Sequence, residues 1–319
     1  MPGETHDPRT IDPAALEMLE MADAQGYSTA FSRVKSMVPC PIGVNGLCCR
    51  MCFMGPCRFV PRRGQRIEDV VGICGATAAT IVARNFARMV AGGAAAHSDH
   101  GRDMALVLLA VAKGEAKGFQ IKDEEKLDKV AHLMGIEAHD RPVMDVALDV
   151  AEKALSNFGQ QTGEITYASR APKRRQELWR RLKMIPRGID REIVETMHRT
   201  GMGTDQNPEH ILHQTLRTSM TDGWGGSMLA TDISDILFGT PKPRTSQANL
   251  GVLKADQVNV VIHGHDPTLS EQMVEAARDP ELIAYAKSKG ANGINLAGIC
   301  CTSNEVLMRQ GVPSAGNTL

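Results

Sequence analysis

Six of the eight cysteines lie within 35 residues, in the run Cys40-Pro-Ile-Gly-Val-Asn-Gly-Leu-Cys48-Cys49-Arg-Met-Cys52-Phe-Met-Gly-Pro-Cys57, closed by Cys74. So crowded a stretch, with Cys48 and Cys49 adjacent, suits no disulfide scheme. Cys49 and Cys52 have the C-x2-C spacing that places two thiolates on one metal centre. Soft thiolates at short, uneven spacing in a glycine-rich loop are the donors that an iron–sulfur cluster requires. Cys49, Cys52, Cys57 and Cys74, spaced C-x2-C-x4-C-x16-C, offer the four thiolates of a [4Fe–4S] cube. Zinc is the rival, since four-cysteine sites also hold it, although an extra cysteine beside a ligand is unusual there. Unligated buried thiols are the bland alternative.

Three smaller groupings remain. Cys40 and Cys48 could half-ligate a second cluster, completed by the same pair from an identical chain across a two-fold axis. Otherwise they are spare thiols. His265, in His263-Gly-His265-Asp-Pro, and the pair Cys300-Cys301 could share a metal ion. They could equally be a core thiol pair near a hydrogen-bonded histidine. His97 and His100 stand three apart on one helical face and could pass protons near neutrality, or simply be surface histidines.

The elements that must position these groups divide the chain in two. Pro13 to Ala24 reads as a helix with Asp12 as N-cap and Pro13 at its first position. The glycines and prolines of residues 38–75 break helix and strand alike, so a cluster must organise that loop. Helices are expected over 76–96, 99–113, 123–134, 142–158, 174–184, 190–200 and 208–220, with no strand before residue 245. Then 257–263 and 291–297 read as strands and 267–288 and 303–310 as helices, the pattern of a parallel sheet with ligands beyond the strands' carboxyl ends. The expected fold is a mainly α helical iron–sulfur domain over 1–245, followed by the start of a Rossmann-like parallel α/β domain over 246–319. Residues 311–319 read as the approach to a third strand, and since two strands do not make a stable sheet, either the chain is a fragment or a partner supplies the rest.

Composition sets the class. The 319 residues are 42% apolar and 23% charged with net charge −1, which gives no electrostatic case for nucleic acid or an anionic membrane. No apolar run reaches membrane-spanning length and the N-terminus is polar, so a cytoplasmic location is expected. Clustered cysteines in an unexported chain agree with metal ligation.

Together these motifs resemble the catalytic subunit of the nickel-dependent anaerobic carbon monoxide dehydrogenases. The resemblance runs from about Cys40 to the last residue. It rests on the Cys40–Cys57 run, Ala-Ala-His97-Ser-Asp-His100-Gly-Arg, His263-Gly-His265-Asp-Pro-Thr-Leu-Ser-Glu, and Gly293-Ile-Asn-Leu-Ala-Gly-Ile-Cys300-Cys301-Thr-Ser-Asn-Glu. It implies interconversion of CO and water with CO2, two protons and two electrons. Cys49, Cys52, Cys57 and Cys74 would then hold a [4Fe–4S] relay cluster. Cys40 and Cys48 would hold half of an intersubunit cluster, [4Fe–4S] or [2Fe–2S], in a homodimer. His265 and one of Cys300 and Cys301, with Cys300 favoured, would bind the outer iron of a nickel–iron–sulfur active cluster. His97 would be the acid/base with Asp222 as helper and His100 beside it, and electrons would leave to a ferredoxin-type carrier.

Two departures qualify the resemblance. Family chains are about twice as long, and their second half carries further active-cluster cysteines and a catalytic lysine. The 319 residues alone are therefore expected to bind relay clusters without turning over CO. Some members continue the histidine series where this chain has Asp103 and Leu106, so water or Asp103 must carry the proton onward. The rival readings are a hybrid-cluster, hydroxylamine reductase-like enzyme and a non-catalytic iron–sulfur electron-transfer fragment.

Overall fold

The computed structural model of the chain describes residues 9–38 and 40–316. Its elements run α1 (Pro13–Ala24), α2 (Ala30–Ser36), β1 (Cys48–Cys49), β2 (Cys57–Arg58), α3 (Ala78–Ala112), α4 (Glu124–Leu133), α5 (Val143–Gly159), α6 (Lys173–Arg181), α7 (Ile189–Arg199) and α8 (Pro208–Met220). A π-helical turn, Thr221–Ser227, leads into α9 (Met228–Phe238). There follow β3 (Val258–His263), α10 (Pro267–Arg278), α11 (Pro280–Ser288), β4 (Ile294–Ile299), α12 (Cys300–Gln310) and β5 (Ser314–Gly316). Among the described residues no helix is long and apolar enough to cross a membrane.

The chain forms two compact units. One is Cys40–Thr240, and the other combines the described residues on either side of it. The N-terminal helices belong with the α/β unit, where α1 lies against the short turn Leu250–Val252.

In the helical unit the two helices expected over 76–113 are one. α3 continues through Gly92-Gly93, glycines whose absent Cβ atoms would meet nothing. Each glycine costs a helix about 1 kcal/mol relative to alanine, but long amphipathic helices draw most of their stability from packing. α3 supplies that packing along its length. Ile81 joins Cys49, Phe59 and Ala76 in a small cluster, and Met104, Ala105 and Leu108 join Leu127, Val150, Ile233 and Ile236 in the main core. A short antiparallel ribbon, β1 with β2, breaks the expectation of no strand before 245. Helices α2 and α9 were also not anticipated.

Beneath the main core a buried carboxylate is fully answered. Asp232, 1% exposed, accepts from Tyr167 Oη at 2.6 Å and pairs with Arg170 at 2.6 Å and Lys126 at 2.7 Å. Such a group is tolerated in the interior because it is both paired and hydrogen-bonded.

The α/β unit holds a three-stranded parallel sheet in the order β3-β4-β5, with His263 opposite Ile299. The single helix expected over 267–288 is split at Asp279-Pro280. Proline cannot donate the helical bond, and Asp279 caps the new start by accepting from the Glu281 and Leu282 N–H groups at 2.7 and 3.0 Å. The second helix begins at Cys300 rather than Ser303, directly from the end of β4.

The π-helical turn lies unusually close to α3. A Cβ on Gly226 would sit 2.6 Å from the His97 carbonyl oxygen, and one on Gly101 would sit 3.0 Å from the Gly226 carbonyl oxygen. Only glycine permits this backbone-to-backbone approach. Gly226→Ala should therefore destabilise the protein by about 1–3 kcal/mol, the usual cost of overpacking, seen as a lowered thermal midpoint. An unchanged midpoint would mean that the two segments separate freely.

Candidate functional site

The cysteine loop is held as a ribbon. Cys49 stands opposite Cys57 in the β1–β2 pair, and Cys48 opposite Arg58. Gly55 and Pro56 make the turn between them. A Cβ on Gly55 would lie 2.7 Å from the Cys57 nitrogen, so no larger residue fits. Cys74 comes from the next loop, which is closed by Gly72 N–H donating to the Ala76 carbonyl at 2.9 Å. Its carbonyl accepts from Gln206 Nε2 at 2.8 Å.

Cys49, Cys52, Cys57 and Cys74 line one cavity of about 200 Å³, walled by methionine, isoleucine, alanine and glycine, and by Arg84. The thiols ring this space. Among the described residues no three His, Cys, Asp or Glu side chains converge closely enough for a single metal ion. Four cysteine thiols on one cavity are a donor set that both iron–sulfur cages and four-cysteine zinc sites use. Burial pushes the Cys74 thiol up, but hydrogen bonds from Ala76, Arg84 and Gln206 outweigh it and bring the group below its ordinary value. A lowered thiol is a readier metal ligand, because the thiolate is the form that binds.

Cys40 is exposed and Cys48 half-buried. The Gly43 N–H donates to Cys40 Sγ at 3.5 Å, and with the Ile42 N–H it lowers that thiol's pKa. Asn85 of α3 donates to the Gly46 carbonyl at 2.9 Å and to the Cys48 carbonyl at 3.4 Å, which fixes the segment joining the two cysteines. Nearby in the chain, Val44, Phe53, Phe86 and Met89 are exposed.

Halfway along α3, His97 Nδ1 lies 2.5 Å from Asp222 Oδ1, and Ser227 Oγ donates to the same carboxylate oxygen at 3.2 Å. Asp222 and Ser227 both belong to the π-helical turn whose Gly226 meets the His97 backbone. The bond to Asp222 raises the His97 pKa and outweighs the partial burial that lowers it. His100, one helical turn on, is buried in the same helix. Arg102 holds Asp190 at 2.7 and 2.8 Å, and Ser98 donates to Asp190 at 3.2 Å, pinning α7 beside them.

In the α/β unit the end of β3 and the end of β4 are adjacent. His263 Nε2 lies 3.4 Å from Cys300 Sγ, and the Thr302 N–H donates to the Gly264 carbonyl at 3.0 Å. Cys300 takes a left-handed backbone, φ 64°, at the strand-to-helix turn. Such strain in a residue with a side chain is held only by surrounding structure and concentrates at functional positions. Gly298 makes the turn feasible, since a Cβ there would lie 2.6 Å from Ser303 Cα. Burial, then the neighbouring Cys300 and Glu305, push the Cys301 thiol up. His265 sits half-buried in the same β3–α10 connection.

Two residues of these sites were passed over in the sequence. His263 stood inside a named motif and was read as a strand end. Arg84 stands in the alanine-rich run Ala-Thr-Ile-Val-Ala-Arg84-Asn-Phe-Ala-Arg88, and with a second arginine one turn on, no signal in the sequence sets it apart.

Residues 47–319 match the Prismane/CO dehydrogenase family. Carbon monoxide dehydrogenase 1 of Methanosarcina mazei is 55% identical over 98% of this chain and 49% of its own length. Among solved structures, the as-isolated nickel-free carbon monoxide dehydrogenase of Thermococcus sp. AM4, produced without CooC maturase, superposes with TM-score 0.90 at 46% identity, over 97% of this chain and 49% of that one. A structure of acetyl-CoA synthase/carbon monoxide dehydrogenase with NiZn[Fe4S4] and NiNi[Fe4S4] clusters in its alpha subunits matches with TM-score 0.88 at 46% identity, over 97% and 46%. The chain thus spans about half the length of the curated relatives it matches.

The His97–Asp222 pair has a pH signature. Its folded pKa lies above that of an unfolded imidazole, about 6.5. The pair's stabilising contribution is therefore complete below that value and is lost as pH rises through the higher folded pKa. In Asp222→Asn the His97 titration, followed by imidazole proton NMR, should fall, and the loss of stability with rising pH should flatten. An unmoved titration would remove Asp222 as the charge partner.

Proposed function

The chain belongs to the Prismane/CO dehydrogenase family, and from that premise we propose that it provides the cluster-binding and acid–base parts of an enzyme interconverting CO and water with CO2, two protons and two electrons. The observation that carries this reading is the ring of Cys49, Cys52, Cys57 and Cys74 around one apolar cavity. Four thiolates in a mainly apolar wall are the donor set of a [4Fe–4S] relay cluster. The hybrid-cluster reading is not favoured, since the relatives named above are carbon monoxide dehydrogenases.

A nickel–iron–sulfur cluster, when bound, supplies the centre at which CO is oxidised and two electrons are released. Cys300 and His265 are our candidates for its outer iron. The strained backbone that presents Cys300 at a strand end, with His263 Nε2 3.4 Å from its Sγ, supports this. His97 is the acid/base. A carboxylate only accepts, so Asp222 holds the proton on His97 Nδ1 and directs exchange to Nε2. The raised His97 pKa favours accepting the proton that CO oxidation releases. His100 and Asp103 follow on the same helix and, with water, would carry the proton onward.

Cys40 and Cys48 would meet the same pair of a second copy and share an iron–sulfur cluster with it. Support comes from the exposed Cys40 and from the exposed apolar side chains Val44, Phe53, Phe86 and Met89, which a homodimer would cover. A ferredoxin-type carrier would take the electrons. Clustered free thiols fit a reducing compartment, and we assign the protein to the cytoplasm.

Anaerobically purified protein should contain at least about four iron and four sulfide per chain. The reduced cluster should give an EPR signal that Cys52→Ala abolishes. Zinc without acid-labile sulfide, or an unchanged signal in Cys52→Ala, would overturn the cluster assignment. In the holoenzyme, His97→Ala should lower CO oxidation, measured with a viologen dye, by about 10²- to 10⁴-fold at unchanged nickel content. Nickel loss instead would make His97 a structural residue.

A further inference from the structure

Arg84 is a buried cation aimed at the cysteine cavity. It is 1% exposed and lines the cavity beside Cys74. Its Nη1 lies 3.8 Å from Cys74 Sγ, and its Nη2 donates to the Asp205 carbonyl at 2.6 Å. Its Nε is buried without a partner. Among the described residues no carboxylate pairs with it. Other enclosed charges of this unit are answered: Glu192 by Arg187, and Asp232 by Arg170 and Lys126. A guanidinium cannot escape the cost of burial by losing its proton, so it requires an anionic partner. Among the residues lining the cavity, Arg84 is the one charged side chain, and Cys74 is the thiol it reaches.

We propose that Arg84 sets the reduction potential of the cluster held by Cys49, Cys52, Cys57 and Cys74, raising it by stabilising the reduced form. This rests on the reading that the cavity holds an iron–sulfur cluster. A cluster on four thiolates is anionic. On reduction it takes up one electron, no bond forms or breaks, and its negative charge grows by one. A fixed positive charge therefore favours the reduced state more than the oxidised one, and the Arg84 charge is itself shielded from water. The Nη1–H directed at Cys74 Sγ acts in the same sense, because hydrogen bonds to cluster sulfurs are one determinant of potential. The bond to the Asp205 carbonyl holds the guanidinium in place, so its charge does not turn away to solvent.

The test is an EPR-monitored redox titration of the anaerobic protein, with dithionite as reductant, in wild type, Arg84→Met and Arg84→Lys, with iron and sulfide measured in each. Arg84→Met removes the charge at similar length. It should lower the ratio of reduced to oxidised cluster at a given potential at least tenfold, which is 59 mV for one electron. Arg84→Lys should restore at least half of that shift. An intact cluster in Arg84→Met with an unmoved potential would overturn the proposal, as would Arg84→Lys titrating as low as Arg84→Met. If Arg84→Met assembles no cluster, wild-type protein carrying arginine ¹⁵N-labelled only in its guanidinium nitrogens decides the matter. A ¹⁵N coupling to the reduced cluster in pulsed EPR supports the role, and its absence overturns it. Wild-type protein without iron and sulfide would instead sink the cluster reading itself, which keeps the two failures distinct.

Discussion

The helical unit depends on two stretches of backbone that come closer than side chains allow. Gly226 of the π-helical turn presses on the His97 carbonyl, and Gly101 of α3 presses on the Gly226 carbonyl. With no Cβ between them, α3 and the turn become a single rigid piece. That contact places the Asp222 carboxylate on the His97 imidazole. It also anchors the helix on which other working groups ride. Asn85 and Arg84 face the cysteine loop from its first turns, and Arg84 stands about 20 Å along the axis from His97 at 1.5 Å per residue. The far end, from Met104 to Val111, is gripped by the main core. One helix thus fixes the spacing between the thiol-lined cavity and the candidate acid/base.

Charge is distributed in this unit with unusual care for burial. Glu192 is enclosed by Arg187 and by the Gln214 amide, which donates to it at 2.9 Å, and Glu195 is held by Arg187, Arg191 and Arg199. Arg187 and Arg199 keep the Glu195 carboxyl at about 2, outweighing the burial that would raise it. The result is a stiff α7–α8 scaffold around the loop that carries Met202 and Gly203 to the cavity and Gln206 to the Cys74 carbonyl. Arg84 departs from this pattern because its charge faces sulfur rather than carboxylate. His97 departs from it more mildly, half-exposed and paired, and so remains able to exchange a proton.

The α/β unit works by a different device. A parallel sheet brings successive strand ends to one edge, and there the chain must turn sharply from β4 into α12. Gly298 lets the helix fold back onto the strand, and Cys300 absorbs the turn in a left-handed conformation with His263 beside it. A strained, sulfur-bearing turn stays in place because the Thr302 to Gly264 hydrogen bond closes it from the neighbouring strand's end.

Local chemistry was legible in the sequence alone. Cysteine spacing announced thiolate ligation, Asp12 and Pro13 marked a helix start, and hydrophobic rhythm located most helices and both longer strands, because each signal acts within a few residues of itself. The histidine–aspartate pair was named through family resemblance, and its contact depends on residues 125 apart in sequence. What tertiary structure decided was whatever required distant segments to meet. Gly92-Gly93 did not divide α3, since packing along the whole helix outweighs two weak positions. Pro280 did divide the helix after α10, where a missing donor could be replaced by the Asp279 cap. The antiparallel pairing of Cys49 with Cys57, the place of the N-terminal helices beside residues 250–252, and the burial of Arg84 against Asp205 arise only from the folded chain. An arginine's spacing cannot reveal that it is buried, because burial is a property of what the rest of the chain brings to it.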